Sequence, residues 1–192
     1  GLLMKEANET GGISIQKFYA RRARRLLPAA TLVLIVTVLL SYEVFGQLRA
    51  NRVADDARWA ALFASNFRSI QQGTDYLGAQ QEPSPLQHFW SLAVEEQFYF
   101  VWPLLILLLV SVAKGVPMRL KLGVALTLMI AASLAYSVHL TSVDRTTAYF
   151  SPLPRASELA AGALLAVVSP WLLKAPRMAG VVASWAGVAL IL

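Results

Sequence analysis

Apolar residues run in long stretches along this chain, separated by short segments where charged and turn-forming residues collect. A membrane helix needs about 20 mainly apolar residues to cross the hydrocarbon core. Four stretches approach that length, at 28–45, 90–112, 122–140 and 156–173. A fifth opens near Met178 and is still running at Leu192, while Leu2 to Met4 read as the tail of an earlier one. The pattern predicts an all-α, polytopic transmembrane helix bundle, with about four full spans and a truncated one, forming an internal piece of a single membrane domain.

Between the first two spans lies a longer polar segment, 46–87. Within it Val53, Ala57, Trp59, Ala60, Ala61 and Ala64 recur at roughly helical spacing among charges, predicting a helix that lies on the membrane surface or caps the bundle. The residues around Gly73 and from Gly78 to Pro85 read as irregular chain.

Composition agrees with lipid as the main solvent: 57% of residues are hydrophobic and 15% are charged. The formal charge of +6 does not imply nucleic acid in so apolar a chain. Lys5, Lys17, Arg21, Arg22, Arg24 and Arg25 precede the first span, Lys114, Arg119 and Lys121 follow the second, and Lys174 and Arg177 follow the fourth. Placing these short basic segments in the cytoplasm satisfies the positive-inside rule and makes 46–87 extracytoplasmic. The chain has no cysteine, which excludes disulfides and thiolate metal sites, and no metal-binding motif occurs.

Three stretches carry candidate chemistry. In FYARRARRLLP, Phe18 to Pro28, Arg21 and Arg25 share a helix face by four-residue spacing, as Arg22 and Arg25 do by three. Such guanidinium density suits phosphate, including that of a nucleotide-bearing donor; it also suits a topology anchor touching anionic lipid, which is the commoner use. In HFWSLAVEEQFYFVWP, a helix from about Pro85 puts His88, Ser91, Glu95 and Trp102 on one face, with Tyr99 beside them. Glu96 points about 100° away from Glu95 and so is expected to meet a different partner. A carboxylate there either sits cheaply near the outer end of the span or works, by orienting a histidine or pairing with an arginine from another span. Trp90, Phe98, Tyr99, Phe100 and Trp102 are most simply interface and packing aromatics. In YFSPLPRASELAAGALLA, Arg155 and Glu158 are spaced for an intrahelical pair, and Gly162 among alanines suggests close helix packing. His139 reads as an interfacial residue.

Together the three stretches resemble the acyltransferase 3 family of bacterial integral membrane O-acyltransferases, which includes enzymes acetylating lipopolysaccharide O-antigen and peptidoglycan. Phe18, Arg21, Arg22, Arg25, Leu26 and Pro28 match its FxxRRxxRIxP pattern, with Leu26 in place of Ile. Ser84, Pro85, Leu86, His88, Trp90, Ser91, Leu92, Glu95, Glu96, Gln97, Phe98, Tyr99, Trp102 and Pro103 match its SPLxHxWSLxxEEQFYxxWP run. Asn66 and Tyr76 match weaker loop positions, and Arg155, Glu158, Leu159 and Gly162 match an RxxEL...G run.

The resemblance implies a multi-pass protein of the bacterial cytoplasmic membrane. It would move an acyl group, commonly acetyl, from acyl-CoA to a hydroxyl of a carbohydrate or lipid-linked carbohydrate. No bound cofactor is implied. Glu95, Glu96 and His88 become supporting catalytic candidates, and Arg21, Arg22, Arg25, Trp90, Ser91, Tyr99, Arg155 and Glu158 become substrate-binding candidates. The family's catalytic histidine is expected upstream of Gly1, so His88 does not inherit its role. A transporter or flippase using intramembrane carboxylates, or a non-catalytic membrane module, is the alternative reading.

Overall fold

The computed structural model describes residues 14–73, 83–112, 115–172 and 176–191. Lys5, Tyr76, Lys114, Lys174 and the Leu2 to Met4 tail lie outside the described residues. Every element described is a helix: α1 (Ile15–Val44), α2 (Gln47–Ala61), α3 (Ser65–Gln71), α4 (Phe89–Ser111), α5 (Met118–Val143), α6 (Arg145–Phe150), α7 (Pro152–Leu172) and α8 (Arg177–Ile191). Three of them, α1, α4 and α5, are long and apolar enough to cross a membrane. The transmembrane helix bundle is thus as expected, with one amendment. The predicted fourth span is the 21-residue helix α7, but it falls outside that group, because Arg155, Ser157 and Glu158 occupy its opening turns.

Helix α1 begins thirteen residues before the predicted span, because the arginine stretch is itself helical: Ser14 caps it, its side chain accepting from the Lys17 amide at 3.4 Å. At 30 residues α1 is about 45 Å long. The capping helix expected in 46–87 is α2, which turns back at Gly46 and packs along the second half of α1. Ala50, Val53, Ala57 and Ala60 are its buried stripe, and the last three join Leu34 of α1 and Leu86 in one apolar cluster. Ala61 is exposed and Ala64 lies beyond the helix end, so the stripe is narrower than the sequence suggested.

A buried polar knot fastens this cap to the bundle. Gln97 Nε2 of α4 donates to the Phe63 carbonyl and to Asn66 Oδ1, both at 2.9 Å, and Asn66 Nδ2 donates to the Phe150 carbonyl at 3.3 Å. Phe63, between α2 and α3, adopts a φ of 51°, a left-handed conformation that costs about 1–2 kcal/mol for a bulky residue. The turn places Asn66, fully buried, against both partners.

The tightest packing joins α5 and α7, an antiparallel pair with Leu122, Leu126, Ala160 and Val167 at its centre. Ala160 makes the close approach. Gly162, expected to do so, is exposed, and a side chain added there would meet open space. Ser133 of α5 anchors the α7 start: its hydroxyl lies 2.7 Å from the Leu153 carbonyl and 2.9 Å from that of Pro154, and accepts from the Ser157 amide at 2.9 Å. At the opposite end of the bundle Lys121 Nζ donates to the carbonyls of Leu109 and Val112, satisfying the end of α4.

The pairing of α1 with α4 is staggered. Leu34 clusters with Leu86, against which Phe89 also packs, Arg22 meets Glu95 and Glu96, and Tyr19 meets Phe100. The helices are therefore antiparallel, and α4 starts level with the middle of α1. The apolar part of α1 lies on one side of Arg22, and that of α4 on the other side of Glu96.

Candidate functional site

The sequence put the arginine stretch and the acidic pair at opposite ends of their spans; the stagger brings them together. Arg22 Nε lies 2.6 Å from Glu96 Oε2 and 2.9 Å from Oε1, its Nη2 makes a further short contact with Glu96 Oε1, and Nη2 reaches Glu95 Oε1 at 3.4 Å. The guanidinium carbon sits 3.3 Å from the centre of the Tyr99 ring, a cation–π contact. Glu96 does not find a separate partner. Both carboxylates converge on one arginine, because its planar fork is wide enough to span side chains 100° apart on the helix.

Sharing a partner does not make the two acids equivalent. Glu96 is gripped through both oxygens and its side chain is 14% exposed, whereas Glu95 makes one long contact and is 45% exposed. Glu96 is thus the fixed half of a clamp, and Glu95 the half with oxygen to spare. One guanidinium against two ionised carboxylates leaves a formal surplus of one negative charge. In a low-dielectric setting that surplus favours a nearby cation.

Pro103, inside α4, contributes to the same seam. It lacks the amide that would bond the Tyr99 carbonyl, and its ring disturbs that turn. The Tyr19 hydroxyl donates to the adjacent Phe100 carbonyl at 2.6 Å.

The other candidates separate into two groups. Arg21, Arg24 and Arg25 are exposed and do not share the fate of Arg22, so the arginine stretch is not one cluster. Arg21 and Arg24, with Gln16, Lys17 and Ala20, line an open groove of about 380 Å³. His88 and Ser91 are exposed at the start of α4, where the Ser91 hydroxyl donates to the His88 carbonyl at 3.0 Å. They lie on the predicted strip without joining Arg22. Trp102, also on it, stacks on Phe98 and packs against the α5–α7 core.

Arg155 forms the predicted pair with Glu158, Nη1 to Oε1 at 2.6 Å, and its Nε donates to the Tyr149 carbonyl at 3.1 Å. The guanidinium lies 4.7 Å from the Tyr149 ring centre and 5.5 Å from that of Trp90. Trp90 is buried against Phe150, edge to face at 5.2 Å.

Tyr19, Ser133 and the role of Gln97 escaped sequence reasoning. A single serine within an apolar run and an amide directly after two acids were the available signals. Among the described residues no group of three or more acids or histidines is placed to hold a metal.

Known proteins match this chain closely. The family profile described as "Acyltransferase domain" covers residues 1–192. "Peptidoglycan O-acetyltransferase OatA" of Listeria monocytogenes is 30% identical over 174 residues, covering 88% of this chain and 27% of that protein. "O-acetyltransferase OatA" of Staphylococcus aureus is 34% identical over 169 residues, with the same coverage of 88% and 27%. The chain thus spans about a quarter of the length of these relatives, and no solved structure matches it. With the arginine, EEQFY and RxxEL stretches all inside the matched region, the chain belongs to the acyltransferase 3 family.

Proposed function

We propose that the protein containing this chain is a membrane O-acyltransferase, moving an acetyl group from acyl-CoA to a hydroxyl of a cell-surface glycan such as peptidoglycan. The observation that carries this reading is the Arg22–Glu95–Glu96–Tyr99 clamp, a polar station held between two membrane helices with surplus negative charge. In the transfer, the acceptor oxygen bonds to the thioester carbonyl carbon, the C–S bond breaks, a base takes the hydroxyl proton and the thiol leaves with a proton. A histidine in that role becomes cationic, and the surplus charge of the clamp stabilises that form. Glu95 is the acid with an oxygen available to orient it.

The exposed cations Lys17, Arg21, Arg24 and Arg25 suit the phosphates of the donor, whereas Arg22 is already committed to carboxylates. The direct test is acceptor acylation, measured by mass spectrometry of glycan from cells expressing full-length protein with Glu95→Gln, Glu96→Gln or Arg25→Ala. Loss of about 100-fold or more is expected for the two acids, the usual worth of a group acting on proton transfer. Arg25→Ala should instead raise the KM for acyl-CoA. Wild-type turnover in all three variants, with normal membrane levels, overturns the reading.

A further inference from the structure

The exposed cations of α1 all suit phosphate, but the helix divides them between two sides. At about 100° per residue, Lys17, Arg21 and Arg24 fall within about 60° of one another. Arg22 and Tyr19, the side chains that reach α4, lie about 140° and 160° around the helix from Lys17. The strip of Lys17, Arg21 and Arg24 therefore looks away from the clamp. Arg25 stands between the two faces, about 60° from Arg22. The strip lines the open groove, together with Gln16 and Ala20.

Charge and the surface beyond it both indicate what meets this face. Among the described residues no carboxylate pairs with Lys17, Arg21 or Arg24, while Arg22, on the other side of the same helix, takes two. The Arg24 Nε donates to the Ala20 carbonyl at 3.2 Å, which occupies one of its five donor hydrogens. Tyr19 meets Phe100, and from Phe100 to its end at Ser111 α4 runs on for about 16 Å, so the strip stands well inside the level at which α4 ends. Bare cations at that height would face hydrocarbon, a costly arrangement that a phosphate drawn in to them relieves. Further along α1, Leu32, Ile35 and Leu39 continue the same face, and all three are exposed. From Arg24 to Ile35 the helix rises about 16 Å, close to half of a hydrocarbon core of about 30 Å. A cationic strip that leads into an apolar rail one leaflet deep matches a molecule with a phosphate head and acyl tails. A free phosphate or a nucleotide would leave the rail uncovered.

We infer that Lys17, Arg21 and Arg24 bind the headgroup phosphate of an anionic phospholipid of the cytoplasmic leaflet, with its acyl chains lying along Leu32, Ile35 and Leu39. The distribution of lysine and arginine puts this end of α1 on the cytoplasmic side. Such a site stands with or without the O-acyltransferase reading, in which Arg25, the exposed cation nearest the clamp, remains for the donor.

The test uses full-length protein in maltoside micelles, with bound dioleoyl lipid read by native mass spectrometry. Wild type is expected to bind phosphatidylglycerol more tightly than phosphatidylcholine. A cation near the membrane surface is worth a factor of about five, so Arg21→Gln should weaken the Kd for phosphatidylglycerol about fivefold. Removing all three charges, in Lys17→Gln with Arg21→Gln and Arg24→Gln, should weaken it about a hundredfold. The exposed Arg119 lies on the same side of the membrane, and Arg119→Gln, an equal loss of charge, should bind as wild type does. No preference by wild type, or equal effects of Arg21→Gln and Arg119→Gln, overturns the site. Inorganic phosphate and acetyl-CoA, added as competitors, separate the other sources of phosphate: neither should displace the lipid, and displacement by either overturns its assignment.

Discussion

Two helix pairs in this bundle are joined by opposite means. Between α5 and α7 the contact is apolar and close, with Leu122, Leu126 and Ala160 fully buried and Ser133 tying off the α7 start. Between α1 and α4 the backbones stay apart at the site, and long side chains bridge the gap: Arg22 to two glutamates, Tyr19 to a carbonyl. Lipid gives no hydrophobic drive for helices to associate, so a pair must rely on shape or on polar bonds. The first pair uses shape and is a scaffold. The second uses charge, which leaves room between the helices and keeps the polar groups that the proposed transfer would use at their seam.

The comparison can be broken most severely at Glu96. Replacing it in Glu96→Leu leaves the half-buried Arg22 guanidinium with the Tyr99 ring and one long ion pair to Glu95, and a stability loss of about 2–4 kcal/mol is expected, less than a fully buried pair because 20% of the arginine side chain remains exposed. Adding Arg22→Leu should restore most of that stability in detergent unfolding while leaving acylation absent. A double variant as unstable as the single one would mean that the seam is held by something other than the clamp.

On the scaffold side, Ser133→Ala removes the buried hydroxyl that accepts from the Ser157 amide and lies against the Leu153 and Pro154 carbonyls. A loss of about 1–3 kcal/mol is expected, read by the same unfolding assay. Overpacking with Ala160→Leu should cost about 1–3 kcal/mol, whereas Gly162→Ala, which meets open space on the same helix, should gain about 0.5–1 kcal/mol. Equal effects at 160 and 162 would contradict the rotation of α7.

The smallest effect lies at Asp144, which caps α6. The hydroxyl of Thr147, followed by its amide, holds the Asp144 carboxyl below the usual carboxylate range. A depressed carboxylate contributes stability that is fully present above its unfolded pKa and lost as pH falls through the folded one. Unfolding should therefore show no pH dependence arising from Asp144 above about pH 5, and an acid limb below it that Asp144→Asn removes.

Span positions and the helical nature of the bundle were legible because long apolar runs have few alternatives. α4 was placed within one residue at each end. The Arg155–Glu158 pair was legible because it lies within one helix, where spacing alone decides who meets. The Arg22 clamp was not, since it depends on how far α1 slides past α4, and that offset is set by the α2 cap packing on Leu34 and by Leu86. Likewise the Gln97–Asn66–Phe150 knot joins three segments distant in sequence. Local periodicity carries no information about such meetings.

The stagger of α1 against α4 has a consequence for the lipid around it. From Arg22 to Val44 α1 extends about 33 Å, and from Glu96 to Ser111 α4 extends about 22 Å in the other direction. Their apolar surfaces together are therefore far taller than a hydrocarbon layer of about 30 Å, so along this edge the helices lean or the bilayer thins. Hydrophobic mismatch then sets how deep the clamp lies and how readily water reaches Glu95. Acyl chain length of the surrounding lipid becomes a control on the site, acting through thickness alone.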